Sequence, residues 1–218
     1  MPQLFRPYAD SIARIVLISI VVVPFLAIGI AYWVMRSNYI TDQTIALNQP
    51  VPFSHVHHVG DFGLDCRYCH TGVETSPVAG VPPTHVCMTC HSQLYTQTAM
   101  LAPVRESLAD DRPIRWNKVN KLPNYVYFDH SIHIAKGVGC STCHGAVDRM
   151  PLMRQAEPLT MGWCLNCHRD PTPYLRPQSA VFDPDWKPPE DQAERGRKLL
   201  VKYLIDNKHL TDCSVCHR

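Results

Sequence analysis

The sequence has no cysteine to spare. Its ten cysteines all fall into one five-letter pattern: CRYCH (Cys66, Cys69, His70), CMTCH (Cys87, Cys90, His91), CSTCH (Cys140, Cys143, His144), CLNCH (Cys164, Cys167, His168) and CSVCH (Cys213, Cys216, His217). Disulfide pairing would not impose that spacing, so a disulfide scaffold is excluded. An excess of charge is missing too. From residue 37 onward there are 18 Lys and Arg against 18 Asp and Glu. That balance offers no basic stripe, so no nucleic-acid partner is expected. Protein is itself in short supply: roughly 180 residues beyond residue 36 leave about 36 per motif, too few for a conventional core around each.

What is present is C-x-x-C-H, five times. This is the attachment signal of c-type haem. The two thiols bond covalently to the porphyrin edge, and the adjacent histidine reaches the iron as proximal ligand. Half a zinc site or a redox C-x-x-C needs no histidine directly after the second cysteine. The expected cofactors are therefore five haem c groups. They are tethered by Cys66, Cys69, Cys87, Cys90, Cys140, Cys143, Cys164, Cys167, Cys213 and Cys216, with His70, His91, His144, His168 and His217 as proximal ligands. Porphyrins would supply much of the buried apolar surface. Phe53, Tyr127, Phe128 and Trp163 are candidates to pack on them, or on ordinary core.

One apolar run stands out. Residues 15–35, IVLISIVVVPFLAIGIAYWVM, carry no charge and lie between Arg14 and Arg36. As a helix they would span about 31 Å, the thickness of a bilayer core. Tyr32 and Trp33 sit where interfacial aromatics belong. The run is too long for a cleaved signal peptide, and bulky where such peptides need small residues. It reads as an uncleaved transmembrane anchor in the lipid bilayer, with Pro24 a possible kink. Haem is attached to c-type cytochromes outside the cytoplasm. The expected placement is the cytoplasmic (inner) membrane, single-pass, with the haem domain on the periplasmic face.

The outer part contains an internal duplication. PFSHVHHVGDFGLDCRYCH precedes a second C-x-x-C-H at Cys87, and YFDHSIHIAKGVGCSTCH precedes another at Cys164. Both open with Phe-x-His-x-x-His: Phe53, His55, His58 and Phe128, His130, His133. The expected organisation is 1–14 cytoplasmic N-terminus, 15–35 anchor, 36–52 linker, 53–92 first di-haem module, 93–127 connector, 128–170 second di-haem module, and 171–218 a C-terminal segment with a helix and the fifth haem. The fold class is a multihaem cytochrome c: loop-rich, mostly short α-helices with little β, and one N-terminal transmembrane helix. Proline-rich stretches such as PVAGVPPTH and FDPDWKPPED read as turns and extended loops. One helix is expected over about 189–206, with Leu199, Leu200, Tyr203 and Leu204 on its apolar face. A second is expected over about 93–109, broken by Pro103.

Phe-x-His-x-x-His before C-x-x-C-H resembles the small trihaem and tetrahaem periplasmic cytochromes. That resemblance implies distal ligands. His55 would serve the haem on Cys66/Cys69, His58 that on Cys87/Cys90, His130 that on Cys140/Cys143 and His133 that on Cys164/Cys167. For the fifth iron it points to His85, with Met161 and His209 as rivals. His57 reads as a hydrogen-bonding or surface residue. Irons closed on both faces favour conduction over catalysis.

The stretch IRWNKVNKLPNYVYFDHSIHIAKGVGCSTCHGAVDRM, followed by PLTMGWCLNCHRDP, is more specific. With one N-terminal span and five motifs, it resembles the pentahaem cytochrome c subunit of alternative complex III. That family implies a non-catalytic electron-transfer subunit of a quinol-oxidising respiratory or photosynthetic membrane complex. Its implied partners are an iron–sulfur/molybdopterin-like subunit, quinol-binding integral membrane subunits and a monohaem cytochrome c. Indirectly, a periplasmic electron carrier or terminal oxidase would receive the electrons. Two other readings stay open. A self-contained membrane-anchored quinol dehydrogenase would place its first haem near the span, whereas Cys66 lies thirty residues beyond Arg36. A multihaem reductase would need one five-coordinate haem.

Overall fold

The computed structural model describes residues 5–217. It divides into two compact units, residues 1–43 and 44–218. Met1–Leu4, part of the expected N-terminal segment, and Arg218 lie outside the described residues.

The first unit is dominated by α1, Ala9–Met35, twenty-seven residues and about 40 Å long. Helix therefore starts six residues before the uncharged run. Its extra turns carry Asp10 and Arg14, which pair at 2.8 Å one turn apart. Pro24 lies inside the helix, which continues past it. At the far end the Arg36 guanidinium stacks over Tyr32, 4.2 Å from the ring centre. No side chain of α1 is buried. By length and composition it is suited to crossing a membrane. A single turn, α2 (Asn38–Thr41), follows.

The second unit is mostly loop and short helix. Among the described residues it has no strand, only isolated bridges at Ala46–Arg154 and Val138–Leu175. Each C-x-x-C-H lies on or at the end of a short helix: α3 (Cys66–Cys69), α4 (Thr84–His91), α7 (Cys140–His144), α8 (Met161–Arg169) and α10 (Cys213–Cys216). Local chemistry starts two of them. Asp65 accepts from the Arg67 amide at 2.8 Å to cap α3, and Thr160 accepts from the Trp163 amide to cap α8.

The two histidine pairs ride on different turns. His130 and His133 lie on α6, His130–Ala135, capped by Asp129. His55 and His58 lie on a π-helical turn whose body is Val56–Asp61. His55 precedes its cysteine by one residue more than His130 does. A π turn closes over one more residue than an α turn, so it absorbs that extra residue.

Two expected helices come out shorter. The one placed at 189–206 is α9, Gln192–Lys202. Pro189 lies before it and accepts the Gln192 amide. Leu204 adopts φ 52°, ends the helix and is exposed, so it forms no part of an apolar face. The one placed at 93–109 is a 3₁₀ turn, Ala99–Leu101, followed by α5, Ala102–Ala109. Pro103 begins α5 instead of breaking it, because a first turn needs no N–H from proline.

Few apolar side chains are buried in the second unit: Val51, Val73, Val104, Ile134, Met150, Leu175 and Val181. The main cluster joins Val73 after the first motif to Ile134 of α6 and to Val181, with Cys140 and Phe182 against it. Polar staples do the rest. Buried Gln192 donates to the Leu175 and Thr172 carbonyls at 2.8 and 3.0 Å. Tyr203 Oη donates to the Arg176 carbonyl, and Lys136 Nζ to the Tyr203 carbonyl. These fix the C-terminal segment to the second module.

At Gly196, buried in α9, a β-carbon would run into the Thr172 carbonyl. Alanine normally favours a helix over glycine by about 1 kcal/mol. Here the colliding atom is backbone and cannot swing aside, so the clash prevails. Gly196→Ala should destabilise the haem-loaded domain by about 1–3 kcal/mol, read as a lower unfolding midpoint. An unchanged or raised midpoint would refute this packing.

Candidate functional site

Imidazole has two nitrogens, and what one bonds determines what the other can do. His70 Nδ1 donates to the Gly80 carbonyl at 2.6 Å, His91 Nδ1 to Leu94 at 3.2 Å, His168 Nδ1 to Leu210 at 2.8 Å and His217 Nδ1 to Tyr125 at 3.1 Å. In the Phe-x-His-x-x-His segments, His58 Nδ1 donates to Ser54 at 2.8 Å, His130 Nδ1 to Pro77 at 2.8 Å and His133 Nδ1 to Asp129 at 2.6 Å. A carbonyl can only accept, so each Nδ1 carries the proton and each Nε2 keeps its lone pair.

His144 fits the same rule through a side chain. Asn120 Nδ2 lies 3.1 Å from His144 Nδ1, while Asn120 Oδ1 is buried without a partner. Turning the amide over lets Oδ1 accept from His144 Nδ1–H and gives that oxygen its partner. His55 alone of these histidines has a buried Nδ1 with no bond.

The rings come together in pairs. His130 and His144 are parallel within 5°, with centroids 6.3 Å apart. His133 and His168 lie 6.2 Å apart, as do His58 and His91. Burial, then the neighbouring His70, pushes His55 down to about 4. Burial, then His130, pushes His144 down to about 4. Both rings are thus held neutral, the state in which imidazole binds a metal.

A phenylalanine separates the two histidines of each segment. Phe53 stacks on His58 at 4.3 Å and meets His55 edge-on at 4.9 Å. Phe128 repeats this with His133 at 4.5 Å and His130 at 4.8 Å. Trp163 Nε1 donates to Glu157 at 3.0 Å, and the Tyr127 amide donates to the Cys216 carbonyl.

The remaining candidates lie apart from these pairs. His57 is exposed and its Nδ1 is 2.8 Å from Asp61. His209 is exposed and 3.1 Å from Asp212. Met161 opens α8 and is exposed. His85, on α4, is exposed and lines a surface groove with Pro83, Leu108, Ile114 and Trp116. The ring beside His217 is Tyr125, at 5.9 Å.

None of the ten cysteines is paired in a disulfide. Their neighbours come from other motifs. Cys66 of the first motif lies beside Cys140 of the third. Burial, then Cys167 and Cys164, raises Cys143 to about 12. Burial raises Cys69 and Cys164, helped by Cys87 in the first case and Cys216 in the second.

Residues 126–218 match the family described as cytochrome c7 and related cytochrome c. Over 170 residues the chain is 34% identical to the multiheme cytochrome c subunit of menaquinone reductase from Nitratidesulfovibrio vulgaris strain Hildenborough. The match spans 78% of this chain and 67% of that protein. The chain belongs to the multihaem c-type cytochromes. In this family C-x-x-C-H carries haem c. Sequence motifs exposed the cysteines and histidines but not the groups that accept the Nδ1 protons. Asn120 and the carbonyls of Pro77, Gly80, Leu94, Tyr125 and Leu210 follow no spacing rule.

An Nδ1–H bond to an acceptor makes imidazole a more electron-rich ligand. In the haem-loaded cytochrome, Asn120→Leu should raise the reduction potential of one haem, and Asn120→Asp should lower it. Spectroelectrochemical titration checks both. Potentials unmoved in the two variants would rule out the Asn120–His144 bond.

Proposed function

We propose that the chain is the five-haem, membrane-anchored electron relay of a quinone-linked complex of the alternative complex III type. The ten cysteines tether the haems, with His70, His91, His144, His168 and His217 as proximal ligands. His55, His58, His130 and His133 are the distal ligands of the first four. The observation that carries this reading is the spacing of the facing rings, 6.2–6.3 Å between centroids. Two metal–nitrogen bonds of about 2.0 Å, each with a ring centre roughly 1.1 Å beyond the nitrogen, give about 6.2 Å. When bound, haem c supplies one-electron iron chemistry. The protein orients both imidazoles and keeps their Nε2 lone pairs free, so the paired histidines would hold the irons from both sides.

For the fifth iron the resemblance points to His85, with Met161 and His209 as rivals. His85 and His209 are exposed, and the bond from His209 Nδ1 to Asp212 leaves its Nε2 open. Met161 is exposed at the start of α8.

In this reading α1 crosses the cytoplasmic membrane and residues 37–218 lie on the periplasmic side. The relay contacts iron–sulfur/molybdopterin-like, quinol-binding and monohaem cytochrome subunits, and passes electrons toward a periplasmic carrier or terminal oxidase. The relative's name favours a second reading, with electrons delivered to menaquinone through a partner subunit. A relay conducts either way, and the potentials of donor and acceptor set the direction.

Purification from membranes in mild detergent should bring down these subunits with a quinone-linked oxidoreductase activity that the isolated chain lacks. Quinol oxidation by the isolated chain would instead make it a self-contained dehydrogenase. His130→Ala should leave the Cys140/Cys143 haem attached but open to carbon monoxide, and His85→Ala should open the fifth. An unchanged, carbon monoxide-insensitive spectrum in either variant would refute that ligand.

A further inference from the structure

Contacts join the five motifs one to the next, and the fifth also reaches back to Tyr125 and Tyr127, just ahead of Phe128. Tyr68, inside CRYCH, hydrogen-bonds Thr89, inside CMTCH, at 3.0 Å, and Phe53 touches both His55 and His58. These link the first motif to the second. The first also meets the third. The Pro77 carbonyl, in the loop after CRYCH, accepts from both the amide and Nδ1 of His130, and Val73, Ala79 and Cys140 share one apolar cluster. Phe128 touches His130 and His133 and so joins the third motif to the fourth. The Leu210 carbonyl, three residues before CSVCH, accepts from His168 Nδ1 and joins the fourth to the fifth.

Exposure marks the same ends. Of the ten cysteines, only Cys90 of the second motif and Cys213 of the fifth are exposed.

Building on the relay reading, we infer that the haems stand in the spatial order second, first, third, fourth, fifth, and that redox partners meet the two ends, at Cys87–His91 and Cys213–His217. The chain order of the motifs is therefore not the path order. The junction between the two modules joins the first motif to the third, and an electron crossing the domain must pass it.

Two measurements on the intact complex test this. Iron-to-iron separations from an experimental map of the haem-loaded complex should be shortest between consecutive members of that order. Five irons with both axial ligands but in another arrangement would overturn the order alone. Fewer than five irons would overturn the relay reading with it.

The second measurement uses His130→Ala. Carbon monoxide on the third haem holds it ferrous, which cuts the line at its middle. In that variant, carbon monoxide should abolish electron transfer from donor to acceptor, while haems on the donor side still reduce. Wild type should be insensitive to the gas. Carbon monoxide binding, seen in the optical spectrum, without loss of transfer would overturn the order. Failure to bind would overturn the ligand assignment beneath it.

Discussion

A single proton on Nδ1 governs this cytochrome. Imidazole can offer a metal only the nitrogen that carries no proton. In seven of the histidines that matter, the proton is pinned on Nδ1 by a backbone carbonyl. That bond also stops the ring turning about its own axis. Orientation, tautomer and ligand strength are thus set together, before any metal is bound. It also explains why the loops are long and irregular. Five of the seven carbonyls, those of Pro77, Gly80, Leu94, Tyr125 and Leu210, come from outside the helices, where no ladder uses them.

The duplicated modules obey this constraint by different routes. In the second, Asp129 caps α6 with its carboxylate and accepts from His133 Nδ1 with its carbonyl. In the first, Ser54 offers its carbonyl to His58 from ahead of a π turn. The turns differ, yet the Phe–His geometries agree within 0.2 Å and a few degrees. The ring arrangement has been kept and the backbone has moved to keep it. Crossing between modules is as important as repetition. His130 is held by Pro77, so the second module's first ring depends on the first module's loop.

Much of this was legible in the residues. C-x-x-C-H marks a covalent demand at fixed spacing, and Phe-x-His-x-x-His repeats before it. The short helices and the apolar span followed from the same letters. The ends of α5 and α9 did not follow. Pro103 can start a helix as readily as stop one, and Leu204 takes a left-handed backbone that few leucines adopt. The groups that hold the Nδ1 protons were invisible for a deeper reason. A carbonyl exists at every position, so its use leaves no trace in the sequence. Asn120 has no spacing that distinguishes it from Asn117 or Asn124.

Arg176 shows what such a sparsely cored domain tolerates. It is 3% exposed and, among the described residues, forms no salt bridge with a carboxylate. Its guanidinium donates to Ser141 and Thr142 between two attachment cysteines, reaches the Ala180 and Asp183 carbonyls, and stacks on Trp186. Arginine cannot shed its charge, so burial carries a standing cost. An aliphatic side chain would avoid the cost but could not tie α7 to the following loop. With seven buried apolar residues in the second unit, few other contacts could do so. Gly139 leaves the room, since a β-carbon there would overlap the guanidinium. The third motif, where the modules meet, is thereby clamped by polar bonds where a larger domain would use hydrophobic packing.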